Sequence, residues 1–263
     1  MSTSQVETEN KTLVGIRKSC KAAAAVMEAA SKAVRVGLTT ADVEAVVAKE
    51  IARQGGRSAF LGYHGFPGAL CISLNDEVLH GIPSKSRKLA NGDLVKLDLG
   101  VVLDGYYSDM AASFLMDDGS ESSRKKRALM DATLSALMAC VSPLIRSGMP
   151  VLMISACIEG HLASKGYKPI DDMTGHGVGL RLHESPVVPN AVPPGIKDLS
   201  ATNDMLVAGM TIAVEPMACM GSTKCRIKND GWTIVMEDGL SAAHFEHTLL
   251  ITDGAQEILT RLS

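Results

Sequence analysis

The sequence predicts an α/β (α+β) fold built from two homologous halves, and three observations carry that expectation. Helical patterns precede strand patterns, and this order occurs twice along the 263 residues. Short motifs echo between the two parts in the same order. An Asp-Gly turn joins two apolar strand runs that each bear an aspartate, and a strand of the second half bears a glutamate at the matching place.

A polar stretch at residues 1–10 reads as a flexible leader, followed by a single domain over 11–263. The first helix is expected from Lys11 to Val36, stopped by Gly37, and a second follows at once. Thr39 and Thr40 are its candidate N-caps, and Val43, Val46, Val47 and Ile51 give it helical spacing up to Gly55. Strand runs occupy about 69–74, 92–103 and 106–114. Helices are expected from Ser122 to about Arg146 and from about Pro150 to Lys165, then strands around 208–215, 232–236 and 245–251.

The echoes are specific. Arg35-Val36-Gly37-Leu38 recurs as Arg146-Ser147-Gly148-Met149, and Gly55 recurs as Gly166 at the same offset. His64-Gly65 recurs as His176-Gly177, His80-Gly81-Ile82-Pro83 as His183-Glu184-Ser185-Pro186, and Gly92 six residues before Asp98 as Gly209 six before Glu215. Two halves of this kind present a carboxylate-bearing strand from each side to a central cleft.

Asp104-Gly105 is a strong signal for a two-residue hairpin loop. With that loop, Asp98 faces Ala111 and Asp109 faces Gly100. Period-two alternation then makes the two aspartates diagonal neighbours on one face, roughly 7–8 Å apart. On a half-buried face at neutral pH either one stays protonated or a metal sits between them. Taken alone, the pair equally suits an edge hairpin with a solvated acidic face.

Composition narrows the function class. A net charge of -3 gives no electrostatic case for nucleic acid, and the run Arg124–Arg127 fits a solvated helix face. The six cysteines form no C-x-x-C pair, and free thiols beside 14 methionines suit a reducing cytoplasm. No secretory or membrane-spanning run is present, so a cytoplasmic protein is expected, and with no long apolar stripe to argue for an obligate oligomer, a monomer.

The candidate ligands are Asp98 and Asp109 from the first half with His176, Glu215 and Glu246 from the second. Oxygen donors plus one imidazole, more than one ion needs, fit a two-metal site with bridging carboxylates. Each residue has a plainer reading: His176 as a satisfied histidine in a glycine-rich turn, Glu215 as a solvated strand end held extended by Pro216, His244 and His247 as packing residues. His80 and His183, each in H-x-x-P, are candidates for contacting substrate. Trp232 either walls a pocket or packs in the core.

The segments Leu61-Gly62-Tyr63-His64-Gly65-Phe66-Pro67, His80-Gly81-Ile82-Pro83, Gly175-His176-Gly177-Val178-Gly179, His183-Glu184-Ser185-Pro186, Val214-Glu215-Pro216-Met217 and Phe245-Glu246-His247-Thr248, with Asp98 and Asp109, together resemble the type I, bacterial-like methionine aminopeptidases. The resemblance covers about Lys11 to Ser263. It implies a pita-bread fold, two pseudo-symmetric halves of antiparallel sheet covered by helices, and removal of the initiator methionine from nascent chains with a small second residue. The implied partners are nascent polypeptide N-termini, with the ribosome a candidate meeting place. The implied cofactors are two divalent ions, for which cobalt, manganese, iron and zinc all suit the donors.

By position, the resemblance implies that Asp98 binds one ion through both oxygens, that Asp109 and Glu246 bridge, and that His176 and Glu215 complete the other ion. It further implies attack by a metal-bridging water with Glu215 as proton shuttle, His183 supporting the oxyanion and His80 near the scissile nitrogen. Tyr63, Phe66, Cys71 and Trp232 would hold the methionine side chain. Two positions depart: Phe60 stands where a cysteine is usual, and Leu182 where an aromatic is usual. The loop from Glu184 to Met210 is longer than typical.

Three rivals are weighed. X-Pro aminopeptidases and prolidases of the same fold usually carry a preceding domain, and only about ten residues precede the first expected helix. Type II relatives insert a subdomain between the last two glutamates, whereas Glu246 follows Glu215 by 31 residues. A metal-free binding module would not need five candidate ligands.

Overall fold

The computed structural model describes residues 3–142, 145–201, 204–254 and 256–262, with the side chains of 3–10 left aside. Helix α1 spans Thr3–Ala33 and α2 Thr40–Arg53. The first begins ahead of the expected Lys11 and ends before Val36, with Gly37 at φ 91 turning the chain. Thr39 caps α2 through a reciprocal pair: its hydroxyl accepts from the Asp42 N–H, and the Asp42 carboxylate accepts from the Thr39 N–H at 2.8 Å. Val43, Val47 and Ile51 point α2 into a core shared with Met27 of α1 and Leu97, Leu99 and Val101 of the hairpin.

That hairpin, Leu94–Leu103 with Tyr106–Leu115, is the spine of the first half. Its register is the one the Asp-Gly turn dictates, with Asp98 opposite Ala111 and Gly100 opposite Asp109. Asp104 and Gly105 both take positive φ, 53 and 86, as a type I′ turn requires. Cys71–Leu74 and the short Arg57–Ser58 flank the Leu94–Leu103 strand.

The second half repeats the plan. Helices α3 (Glu121–Cys140) and α4 (Leu152–Ser164) bury Leu129, Leu137, Ile154 and Ile158 against Ile212, Val214, Ala243 and Leu249. The α3 helix ends six residues before the expected Arg146. The strand ribbon here is broken. Thr211–Val214 pairs with His247–Leu250 in a five-stranded sheet, and Met217–Cys219 pairs with Ala242–His244 in a three-stranded one. Val214 faces His247 and Met217 faces His244, so the register is unchanged across the break and Glu215 faces Glu246 within it.

Glu184–Pro189, expected to lie in a proline-rich loop, is an edge strand that among the described residues pairs only with Thr174–Gly177. An edge position needs few ladder donors, which is why Pro186 and Pro189 are accommodated. His176 lies within the Thr174–Gly177 strand rather than in a turn, between Glu184–Pro189 and Thr211–Val214. Its flanking glycines serve close packing: a Cβ on Gly175 would come within 2.2 Å of the Ala213 carbonyl oxygen, and one on Gly177 within 2.2 Å of that of Ser185.

The halves meet along a seam of long-range hydrogen bonds. The Glu246 N–H donates to the Ala111 carbonyl at 2.9 Å. The Thr248 hydroxyl donates to the Asp109 carbonyl at 2.7 Å and accepts from the Asp109 N–H at 3.2 Å. The Ser113 hydroxyl treats His244 the same way, at 2.7 and 3.1 Å. Buried Lys96 donates to Asn75 O and Ala242 O. No helix among the described residues is long and apolar enough to cross a membrane.

Candidate metal centre

The seam lines up one transverse row: Cys71 opposite Asp98, Asp98 opposite Ala111, Ala111 bridged to Glu246, and Glu246 facing Glu215. Paired strand residues point to the same face, so the row gathers three carboxylates, and Asp109 joins diagonally. Ala111, the small member, leaves room between Asp98 and Glu246. Oxygens of Asp98, Asp109 and Glu246 lie within 4.8 Å of one another, as do ligand atoms of His176, Glu215 and Glu246. The structure thus brings together all five residues singled out from the sequence.

His176 is aimed by its own backbone. Its Nδ1–H donates to the Gly177 carbonyl at 2.9 Å in the assigned tautomer, leaving Nε2 3.4 Å from Glu215 Oε1 and 3.8 Å from Asp109 Oδ2. Burial, reinforced by His183, lowers its pKa to about 4, so the ring is a neutral donor at pH 7.

The carboxylates are electrostatically expensive together. Burial lifts Asp98 to about 7 and Glu215 to about 8. Asp109 and Glu246 are pushed well above the carboxylate range, first by burial and then by the neighbouring acids. Asp98 Oδ1, Asp109 Oδ1 and Glu246 Oε1 are buried without a hydrogen-bond partner. Orphaned oxygens of this kind, with one aimed imidazole, fit divalent cations that take oxygen and nitrogen donors.

The centre lies in a cavity of about 740 Å³ lined by Tyr63, Phe66, Cys71 and Trp232, with His80 and His183. Phe66 and Trp232 meet edge to face at 5.2 Å, and His80 approaches the same indole at 6.3 Å. Exposed His183 sits at the rim, its Nδ1 2.8 Å from the Tyr63 hydroxyl and its ring 4.2 Å from that of His176. His183 also lies within 4.8 Å of ligand atoms of Asp109 and His176, so it stands at the edge of the metal cluster itself.

Phe60 and Leu182, the two departures, are 8% and 2% exposed and pack in one apolar cluster on the cavity wall. Asp172 and Arg181 also line the cavity, and no sequence pattern marked them, while Met217, quoted only as the end of a motif, lines it too. The seam roles of Thr248, quoted only as the end of a motif, and of Ser113 are visible only in the structure. Their sequence signal is only a hydroxyl in an apolar strand run, which is too common to select.

A cluster of carboxylates and an imidazole lining a cavity between two similar halves is the kind of donor set that metal-dependent hydrolases use. The chain belongs to metallopeptidase family M24, whose model matches residues 14–253. It is 39% identical to the methionine aminopeptidase of Aquifex aeolicus over 253 residues, 94% of this chain and 95% of that one. It is 40% identical to that of Borreliella burgdorferi, over 86% of each chain. The crystal structure of the Thermotoga maritima methionine aminopeptidase superposes with a TM-score of 0.86 at 36% identity, covering 99% of this chain and 98% of that chain. The pita-bread architecture follows.

Proposed function

We propose that this protein hydrolyses the N-terminal methionine from polypeptides with a small second residue, using two divalent ions. The observation that carries the reading is the placement of Asp98, Asp109, His176, Glu215 and Glu246 at the floor of an apolar cavity. The identity to methionine aminopeptidases over most of the chain supports the substrate.

Asp98, Asp109 and Glu246 would hold one ion, and His176, Glu215 and Glu246 the other. Cobalt, manganese, iron and zinc all accept these donors. Ions bound there polarise a carbonyl oxygen and acidify water at neutral pH. The protein's own groups do the rest. Phe66, Trp232, Tyr63 and Cys71 enclose an apolar side chain and exclude water. Glu215, buried beside His176, would take a proton from the attacking water and return it to the leaving amine. His183, held by the Tyr63 hydroxyl, is placed to donate to a substrate oxygen at the rim, and His80 lies deeper, beside Trp232. Nascent chains in the cytoplasm, met by a monomeric enzyme at or near the ribosome, are the partners this reading implies.

The test is release of methionine from a Met-Ala-Ser peptide, with and without added divalent metal. Metal-dependent release is expected, and Glu215→Gln is expected to abolish it while the protein stays folded by circular dichroism. Cleavage confined to X-Pro bonds would replace the substrate assignment with that of a prolidase, and no cleavage with any of the four metals would refute the enzyme reading.

A further inference from the structure

His244 is 1% exposed, and neither ring nitrogen has a hydrogen-bond partner. A buried imidazole left so is costly, because its polar nitrogens give up their hydration without a replacement partner. Its Nε2 stands 3.6 Å from Glu215 Oε2, while Glu215 Oε1 stands 3.4 Å from His176 Nε2. Glu215 is thus flanked by two imidazoles, one at each oxygen. The approach is built rather than incidental, because the Ser113 hydroxyl pins both the N–H and the carbonyl of His244, and His244 pairs with Met217 just past the Glu215 break.

The surroundings of the ring select its tautomer once Glu215 is ionised. With the proton on Nε2, the ring's one donor faces a carboxylate oxygen and only a bare lone pair on Nδ1 is left unpaired. With the proton on Nδ1, a buried N–H has no acceptor and the Nε2 lone pair faces a carboxylate. The imidazolium would also present an N–H at Nε2, so the direction of donation does not depend on the charge state.

We infer that His244 is a positioning residue: its Nε2–H closes on Glu215 Oε2 and fixes the carboxylate's rotation, with Oε1 on the His176 side, where the two residues would hold an ion together. The inference rests on the two-metal reading of the site. Removing such an outer hydrogen bond typically costs 10–100-fold in metal affinity.

The experiment has two parts. Long-range proton–nitrogen correlation on the ¹⁵N-labelled wild-type protein loaded with diamagnetic zinc(II), which keeps the Glu215 carboxylate ionised, reads the tautomer directly, and a proton on Nε2 is expected. Titration with cobalt(II) by calorimetry and visible absorption then compares wild type, His244→Gln and His244→Leu. The glutamine amide can donate from nearly the same place, so His244→Gln is expected to bind cobalt(II) within about threefold of wild type. His244→Leu is expected to bind roughly 10–100-fold more weakly, with kcat lowered and KM little changed. A proton on Nδ1 would overturn the inference, as would a folded His244→Leu with wild-type affinity, or a His244→Gln as impaired as His244→Leu. Failure of the wild type to bind cobalt(II) would instead refute the metal reading, which separates the two.

Discussion

Thr248→Val isolates the seam that sets Asp109. Thr248 is fully buried, and its hydroxyl satisfies both outward backbone groups of Asp109, donating to the carbonyl at 2.7 Å and accepting from the N–H at 3.2 Å. Valine keeps the shape, so the loss is polar rather than a cavity. Two interior backbone groups become unpaired at about 1–3 kcal/mol each, and with partial relaxation the expected destabilisation is about 2–4 kcal/mol. For a chain of this size that is a fall in Tm of roughly 5–15 °C. Thr248→Ser keeps the hydroxyl and removes one methyl, which costs about 1 kcal/mol. Urea denaturation of the three proteins measures the series. A Thr248→Val protein within about 0.5 kcal/mol of wild type, or a serine variant as unstable as the valine one, would refute the assignment of that hydroxyl.

Metal binding should release protons. Asp98 at about 7 and Glu215 at about 8 in the metal-free protein lie above the usual carboxyl value of about 4. From pH 4 to 8 the folded metal-free chain binds more protons than the unfolded chain, so these groups' contribution to stability is lost as pH rises. A cation replaces the protons, and its affinity increases over the same window. Calorimetry at pH 6.5 in two buffers of different ionisation enthalpy counts the release; net uptake would contradict the burial argument. Alkylation by iodoacetamide at pH 7 is expected first at half-buried Cys157, whose pKa a hydrogen bond from Cys140 lowers to about 7. Cys71 should be spared, since burial and then Asp98 and Asp109 raise its thiol well above the usual range. Peptide mapping decides, and Cys71 labelled first would reverse the reading. Phe60→Cys should raise kcat/KM for an ethionyl over a methionyl peptide about tenfold, because the ring fills the wall shared with Leu182. An unchanged ratio would remove Phe60 from the specificity pocket.

The hairpin was legible because one dipeptide determines it: Asp104-Gly105 demands a two-residue turn, and the turn alone sets the Asp98 and Asp109 register. The two-halved plan was legible because each half must stop its helices and start its ribbon with similar residues. The Glu184–Pro189 strand was not, since prolines argue against a strand and only its edge position permits them. The glycines around His176 suit either a turn or a close backbone approach, and here their missing side chains let neighbouring strands close in. The facing of Glu215 and Glu246 depends on a register kept across a broken ribbon, and no local pattern encodes that.

The seam also bears on when the centre can exist during synthesis. The hairpin carrying Asp98 and Asp109 forms from contiguous chain, a local event. Its anchors on the other side, Thr248 on Asp109 and Ala242 on Lys96, come 139 and 146 residues later. Until those last strands emerge and dock, Asp109 lacks its backbone partners and Glu246 is absent. A growing chain therefore stays without the assembled carboxylate cluster until the strands carrying Ala242, Glu246 and Thr248 have been made and have docked.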